Sequence, residues 1–162
     1  MHSFRLTGID HEQFEPLFHL SDDRLAELGA VRCVAMADFG FPCRITLEDA
    51  HTGDELLLLS WAHQPADSPY SSTGPIYVRR GRQRRTLDVG ELPPYVTRRL
   101  ISVRAYDAAH MMVDANVCDG PLVAAEIARQ FGDDRVAYIH LHNAKRGCFS
   151  CRVDRAFRTP AT

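Results

Sequence analysis

The strongest constraint on the fold is the regular alternation of apolar and polar residues near the end of the chain. The segments "ISVRAYD" (101–107), "RVAYIHLH" (135–142) and "CFSCRVDRA" (148–156) place apolar side chains at alternate positions. A period of two is typical of strands that bury one face, and such strands commonly pair antiparallel. The last sixty residues are therefore predicted to form a mainly antiparallel sheet.

The rest of the sequence adds further strands and a few short helices. Helices are predicted after Ser21, at 93–100 and over 120–132, where capping residues or prolines precede the helical segment. Strands are predicted at 30–37, 43–47, 55–61, 76–80 and 111–117, with 43–47 and 55–61 forming a hairpin. The pattern indicates an α+β fold: a largely antiparallel sheet with a few short helices in a single layer on one face, built as one domain over residues 1–162.

One face of the predicted sheet collects side chains that commonly bind ligands. Strand parity sets the apolar residues on one side and tyrosine, histidine, arginine and one thiol on the other. Because guanidinium groups bind carboxylate or phosphate through paired hydrogen bonds, this face predicts a site for a small anionic molecule, covered by a loop at 63–75. The candidate ligand-binding residues are Arg79, Arg104, Tyr77, Tyr106, Tyr138, Arg152, His63 and Tyr70.

His140, His142 and Cys148 are the candidate catalytic residues on the same face. Imidazole suits acid–base chemistry, and a Cys–His pair is the minimum for covalent catalysis. Basic neighbours favour a reactive thiolate, so Cys148 is predicted to alkylate faster than Cys151, which parity places in the core. An ordinary solvent-facing sheet with an inert thiol fits the same pattern, and whether the protein is an enzyme stays open.

The same spacing raises the question of a metal site. Cys148 and Cys151 point to opposite sides of a regular strand and cannot share an ion, whereas His140 and His142 share a side. Two ligands do not make a site, and the sequence fixes no third. We therefore assign no metal ligand and expect no cofactor. A zinc-binding or thiol-reactive protein using His140, His142 and Cys148 remains an alternative.

Charge argues against a general affinity for polyanions. The chain has 19 basic and 21 acidic residues, a formal net charge of −2, so nucleic acid is not an expected partner. The arginines at 79, 80, 82, 84 and 85 are dense enough to attract a polyanion locally. An interaction module that contacts nucleic acid or protein through the loop 79–85 is therefore a second alternative.

The sequence carries no sign of membrane association. Its longest apolar run, "LLLLSWA" (56–62), is far shorter than the roughly 20 residues of a membrane span. The first fifteen residues lack the basic start and apolar core of a signal peptide. Five cysteines without an export signal fit reduced thiols, and a cytoplasmic location is expected.

Several stretches resemble a bacterial family, domain of unknown function 1203, whose members have about this length. The matching pieces are "FPCRITLEDA" (41–50), "ELLLLSW" with "HQP" (55–65), "SPYSSTGPIYV" (68–78), "SVRAYDA" (102–108) and "VAYIHLHNAKRGCFSCRVDR" (136–155). Together they cover most of the chain from residue 41 onward. The resemblance implies a bacterial, single-domain protein, and it brings no reaction, cofactor or catalytic residue with it.

Overall fold

The computed structural model describes residues 3–157, in which ten strands form two five-stranded sheets. The first sheet has the order β1-β10-β9-β7-β8 and is antiparallel throughout. Its strands are β1 (Phe4–Thr7), β7 (Leu100–Tyr106), β8 (Met112–Asp119), β9 (Tyr138–Asn143) and β10 (Phe149–Arg155). The alternating segments of the sequence thus pair with one another, as predicted.

Helices cover the apolar face of this first sheet. Val103 on β7 and Leu141 on β9 lie in one core cluster with Val123, Ile127 and Phe131. These last three come from helix α3 (Val123–Gln130) and the residue that ends it, and a 3₁₀ turn at Gly120–Leu122 precedes the helix. A short helix α2 (Pro94–Thr97) adds Tyr95 and Val96 to the same core. The apolar side of α3 therefore faces the sheet.

The second sheet has the order β2-β5-β6-β3-β4, and its only parallel pair within residues 3–157 is β3 with β6. Its strands are β2 (Ala30–Val34), β3 (Pro42–Cys43), β4 (Glu48–Asp49), β5 (Glu55–Gln64) and β6 (Ser72–Arg79). Helix α1 (Asp22–Glu27) begins at Ser21, whose side chain accepts a hydrogen bond from the Arg24 N–H, and α1 contacts β2. The α+β class with largely antiparallel strands is confirmed, although the strands divide between two sheets.

Two local predictions in the second sheet are wrong. Residues 44–47 form a turn instead of a strand, so no hairpin joins 43–47 to 55–61; β5 pairs with β2 and β6 instead. The loop predicted at 63–75 spans only 65–71, because Gln64 pairs with Ser72 and extends both flanking strands. The shorter loop leaves His63 on a strand, where its direction is set by the sheet.

A bulge at the start of β10 changes which side chains share a face. The register is Phe149 with His142 and then Cys151 with Leu141, so one residue, Ser150, is extra on β10. A bulge of this kind shifts strand parity by one position. Phe149 therefore lies on the histidine side of the sheet and not in the first core, which corrects the prediction from simple alternation. Cys151 is buried in that core, as predicted.

No helix within the described residues is long and apolar enough to cross a membrane.

Candidate functional site

A cavity lies where the two sheets meet. It has a volume of about 520 Å³ and is bordered by the ends of β5, β9 and β10 together with residues 7–10. We call it the histidine cavity, and its walls include Trp61, His63, Tyr138, His140, Phe149 and Arg152. Its size is in the range of small-molecule sites, about 300–1,000 Å³.

Three histidines cluster at this cavity: His63 and His140 line it, and His142 is buried next to them. His140 and His142 project from β9 on the same face, and His63 comes from β5 of the other sheet. The His63 ring lies 5.1 Å from the His142 ring and 6.4 Å from the His140 ring, centre to centre. One ring nitrogen of each histidine lies within 4.8 Å of the other two. The sequence analysis placed His63 among the ligand-binding residues, and the structure brings it to the candidate catalytic pair.

Burial keeps these imidazoles neutral. His140 and His142 are only 3% and 1% exposed. Burial, and then the positive charge of neighbours, lowers the pKa of His140 to about 3. Burial likewise lowers the pKa of His142 to about 4 and also lowers that of His63, where the charge of Arg104 adds to the effect. At neutral pH each ring therefore keeps one nitrogen with a free lone pair.

The tautomer of His142 follows from its one hydrogen bond. Its Nδ1 lies 3.0 Å from the carbonyl oxygen of Gly147. A carbonyl oxygen only accepts, so Nδ1 carries the hydrogen and Nε2 carries the lone pair. That Nε2 is buried and has no hydrogen-bond partner within residues 3–157. The Nδ1 atoms of His63 and His140 are also buried and also lack a hydrogen-bond partner among these residues. Buried polar atoms are rarely left unpaired in proteins.

Aromatic rings hold the three histidines in place. Phe149 stacks on His63 with ring centres 5.4 Å apart and planes 8° from parallel. It also meets the edges of His140 at 5.1 Å and His142 at 5.8 Å, and Trp61 packs on its other side at 5.7 Å. Sequence reasoning missed Phe149 because the bulge that turns it towards the histidines has no clear signature in "CFSC".

Tyr138 anchors the rim of the histidine cavity. Its hydroxyl accepts a hydrogen bond from Gln64 Nε2 at 2.8 Å and lies 2.7 Å from His110 Nδ1. Arg152 stacks over the Tyr138 ring at 4.2 Å and pairs with Asp154 at 2.9 Å. Neither Gln64 nor His110 was predicted as a site residue. Gln64 was assigned to the loop 63–75, and His110 lies in the turn between β7 and β8.

Most of the remaining predicted ligand-binding residues lie beside this site. Arg104 faces His140 across the β7–β9 ladder, and its Nε donates to Ser102 Oγ at 3.0 Å. Tyr106 stacks on Tyr138 with ring centres 5.3 Å apart. Tyr70, from the 65–71 loop, packs edge-on against Tyr106 at 6.1 Å. The loop therefore lies over part of the polar face, as expected.

Three predicted site residues lie elsewhere. Tyr77 and Arg79 belong to β6 of the second sheet: Tyr77 packs against Phe41 at 5.5 Å, and Arg79 is buried and pairs with Asp54 at 2.8 Å. Cys148 Sγ lies 3.1 Å from Arg44 Nη2, not beside an imidazole. Parity within a strand cannot tell which sheet a strand joins, and this is why Tyr77 and Arg79 were grouped with the histidines.

The arginine run at 79–85 is largely neutralised by carboxylates. Arg80 pairs with Glu55 at 2.8 Å, and Arg85 pairs with both Glu48 and Glu91 at 3.1 Å. Together with the Arg79–Asp54 pair, these contacts reduce the positive charge that the run presents to a polyanion.

Comparison with known proteins places the chain in a family. No curated protein and no solved structure matches it. The model of one family, described as "Protein of unknown function (DUF1203)", matches residues 40–155. The match covers more than two thirds of the chain and contains His63, His140 and His142 as well as Phe149. The chain therefore belongs to the DUF1203 family, as the resemblance in its sequence implied.

Proposed function

We propose that His63, His140 and His142 bind a divalent transition metal ion of the zinc class, and that this ion binds a small anionic molecule in the histidine cavity. The observation that carries the proposal is the meeting of three neutral imidazoles, two buried and one half-buried, each with a ring nitrogen that lacks a partner within the described part of the chain. Neutral imidazole is the commonest metal ligand among protein side chains.

The surroundings of His142 support this assignment. Metal-binding histidines usually donate their second ring N–H to a carbonyl or carboxylate, which fixes the ring and raises its basicity. His142 has this arrangement through Gly147. Bonds of about 2.0–2.1 Å place the nitrogens of a tetrahedral site roughly 3.4 Å apart. Ring nitrogens already within 4.8 Å of one another need only small ring movements to close on an ion.

The cavity supports a role beyond metal storage. Structural zinc sites are closed by four protein ligands, whereas sites that act on small molecules use three and keep one position open. Here His63 and His140 line a cavity of about 520 Å³, and a ring nitrogen of His142 lies within 4.8 Å of theirs. An anionic group would complete the coordination, with the guanidinium of Arg152 and the hydroxyl of Tyr138 on the adjoining wall. The metal's charge supplies most of the attraction, because Asp154 already neutralises Arg152.

Metal content and metal titration test the proposal. Protein purified without chelator, and apo-protein titrated with Zn²⁺ or Co²⁺, should bind about one equivalent per chain. His63→Gln, His140→Gln and His142→Gln should each weaken binding at least tenfold, while His19→Gln, at an exposed histidine, should leave it unchanged. A folded wild-type protein that takes up no metal, or equal uptake by the variants and the wild type, would overturn the proposal.

A further inference from the structure

A second cavity lies on the other side of the β9–β10 hairpin, and its wall is strongly basic. It has a volume of about 380 Å³, and its lining contains five basic residues and no carboxylate. The histidine cavity, by contrast, is lined by Arg84 and Arg152 but also by Asp10 and Asp154. We call the second one the arginine cavity, after Arg44, Arg98, Arg99, Lys145 and Arg146 on its wall.

Arg44 is a buried charge without a counter-ion. It is 1% exposed and donates to the carbonyl oxygens of Phe149 (2.8 Å) and Pro42 (2.6 Å) and to Cys148 Sγ (3.1 Å). No carboxylate of residues 3–157 lies within 4 Å of it. A guanidinium does not lose its proton in a protein, so burial leaves a permanent positive charge beside the cavity.

The other basic groups add to this charge. Arg99 pairs with Asp49, and Arg98 stacks on Phe39 at 4.2 Å. Lys145 and Arg146, in the turn between β9 and β10, are exposed, and neither makes an ion pair with a described residue. Only one of the five charges is therefore neutralised by an acidic partner in the part of the chain that the structure describes.

Asn143 supplies a second, independent indication of a ligand. It lines the arginine cavity and is 8% exposed. Its Oδ1 is buried and receives no hydrogen bond from any residue between 3 and 157, while its Nδ2 lies 3.7 Å from Cys148 Sγ. A buried amide oxygen without a donor is costly, and a ligand hydroxyl or N–H would satisfy it.

We infer that the arginine cavity is a second binding site, which takes a small molecule carrying phosphate or carboxylate groups together with a hydroxyl or N–H donor. Arg146 and Lys145 bind the anionic groups at the mouth, and the charge of Arg44 attracts them from within. Asn143 accepts the donor, and Cys148 lies on the wall beside the bound molecule. The site is independent of metal at the three histidines.

Titration with inorganic pyrophosphate tests the site. The protein is first stripped with chelator and dialysed, so that pyrophosphate cannot bind through a metal. Calorimetry should show one site, weakened at least tenfold in the double variant Lys145→Gln/Arg146→Gln. Arg82→Gln is the control, because it removes an exposed arginine of the 79–85 run that does not line this cavity. The same titration with citrate shows whether the cavity binds carboxylate or phosphate groups more tightly.

The alkylation rate of Cys148 reports whether the arginine cavity is occupied and how positively charged its surroundings are. Labelling followed by mass spectrometry compares it with Cys118, a half-buried thiol next to acidic residues. The rate ratio of anionic iodoacetate to neutral iodoacetamide should be several-fold higher at Cys148 than at Cys118, and pyrophosphate should protect only Cys148. Equal ratios at the two thiols, no protection, or equal weakening by Arg82→Gln would overturn the inference.

Discussion

Phe149 lines the histidine cavity but not the arginine cavity, and it contacts residues of the two through different atoms. The ring of Phe149 packs against His63, His140 and His142 in the histidine cavity. Its carbonyl oxygen accepts a hydrogen bond from Arg44, on the wall of the arginine cavity. The bulge at the start of β10 makes both contacts available, because it turns the ring towards the histidines.

Burial affects the imidazole of histidine and the guanidinium of arginine differently. An imidazole can release its proton, so burial lowers the pKa of His140 and His142 and leaves neutral nitrogens that suit a cation. A guanidinium cannot do so, and Arg44 is instead held by carbonyl and thiol acceptors. The same degree of burial therefore underlies both proposals, a metal ion at the histidines and an anion in the arginine cavity.

Removing the ring of Phe149 should have the largest effect on the free energy of unfolding. Phe149→Ala deletes a buried ring that touches all three histidines and Trp61. Such truncations usually lower the free energy of unfolding by about 3–5 kcal/mol. Urea denaturation measures the loss, with Phe157→Ala as the control, since Phe157 is 91% exposed. A loss below about 1 kcal/mol would mean that the ring contributes little to the packing around the histidines.

Arg44→Met should have the next largest effect. Methionine keeps much of the apolar stem but leaves the carbonyl oxygens of Phe149 and Pro42 without their donor. Each buried carbonyl left unpaired costs about 1–3 kcal/mol, so a loss of roughly 3 kcal/mol is expected in the same urea assay. Arg82→Met, on the surface, should change little. Equal or higher stability of Arg44→Met would show that burying the charge costs more than its hydrogen bonds return.

Strand parity predicted the composition of the polar face, because parity is a local property. His140, Arg104 and Tyr138 were expected on one face, and the register Arg104–His140 and Tyr106–Tyr138 places them side by side. The same rule failed at Phe149, because a single extra residue reverses parity and "CFSC" looks like an ordinary strand. The fold class could also be predicted from sequence, since it depends on which segments form helices and strands and not on which strands pair.

Direct contacts between residues of different sheets could not be predicted from sequence. His63 lies 77 positions before His140, and only the packing of β5 against β9 joins them. Arg44 was read as part of a strand, and nothing local marks an arginine as buried. In each case the contact depends on how two sheets pack, and the apolar pattern of a single strand carries no information on that.

Acid should destabilise the metal-free protein through the histidine cavity. The folded-state pKa values of His140 and His142 lie near 3 and 4, below the value of about 6.5 for an unfolded chain. Between these limits the unfolded state binds more protons, so stability is full above pH 6.5 and falls as the pH drops. Each histidine should cost on the order of 1 kcal/mol between pH 6.5 and 5.5.

The urea midpoint at several pH values measures this loss. His140→Gln/His142→Gln removes two of the three histidines whose pKa is lowered and should make the profile shallower between pH 6.5 and 5.5. His19→Gln, at an exposed histidine, should leave the wild-type profile unchanged. A wild-type profile that is flat over this interval would mean that folding does not lower the pKa of either imidazole.

The smallest effect is expected at the rim of the histidine cavity, where neutral groups bond to one another. Tyr138→Phe removes the hydroxyl that accepts from Gln64 and contacts His110, but it keeps the ring under Arg152. A neutral hydrogen bond contributes about 1 kcal/mol net, so the loss should be near this value and about a third of that for Arg44→Met. Tyr70→Phe, at an exposed tyrosine, is the control in urea denaturation. Tyr138→Phe and Arg44→Met could also lower the free energy of unfolding equally. In that case the neutral hydrogen bonds of one cavity and the buried charge of the other would contribute equally to stability, and the contrast between them would fail.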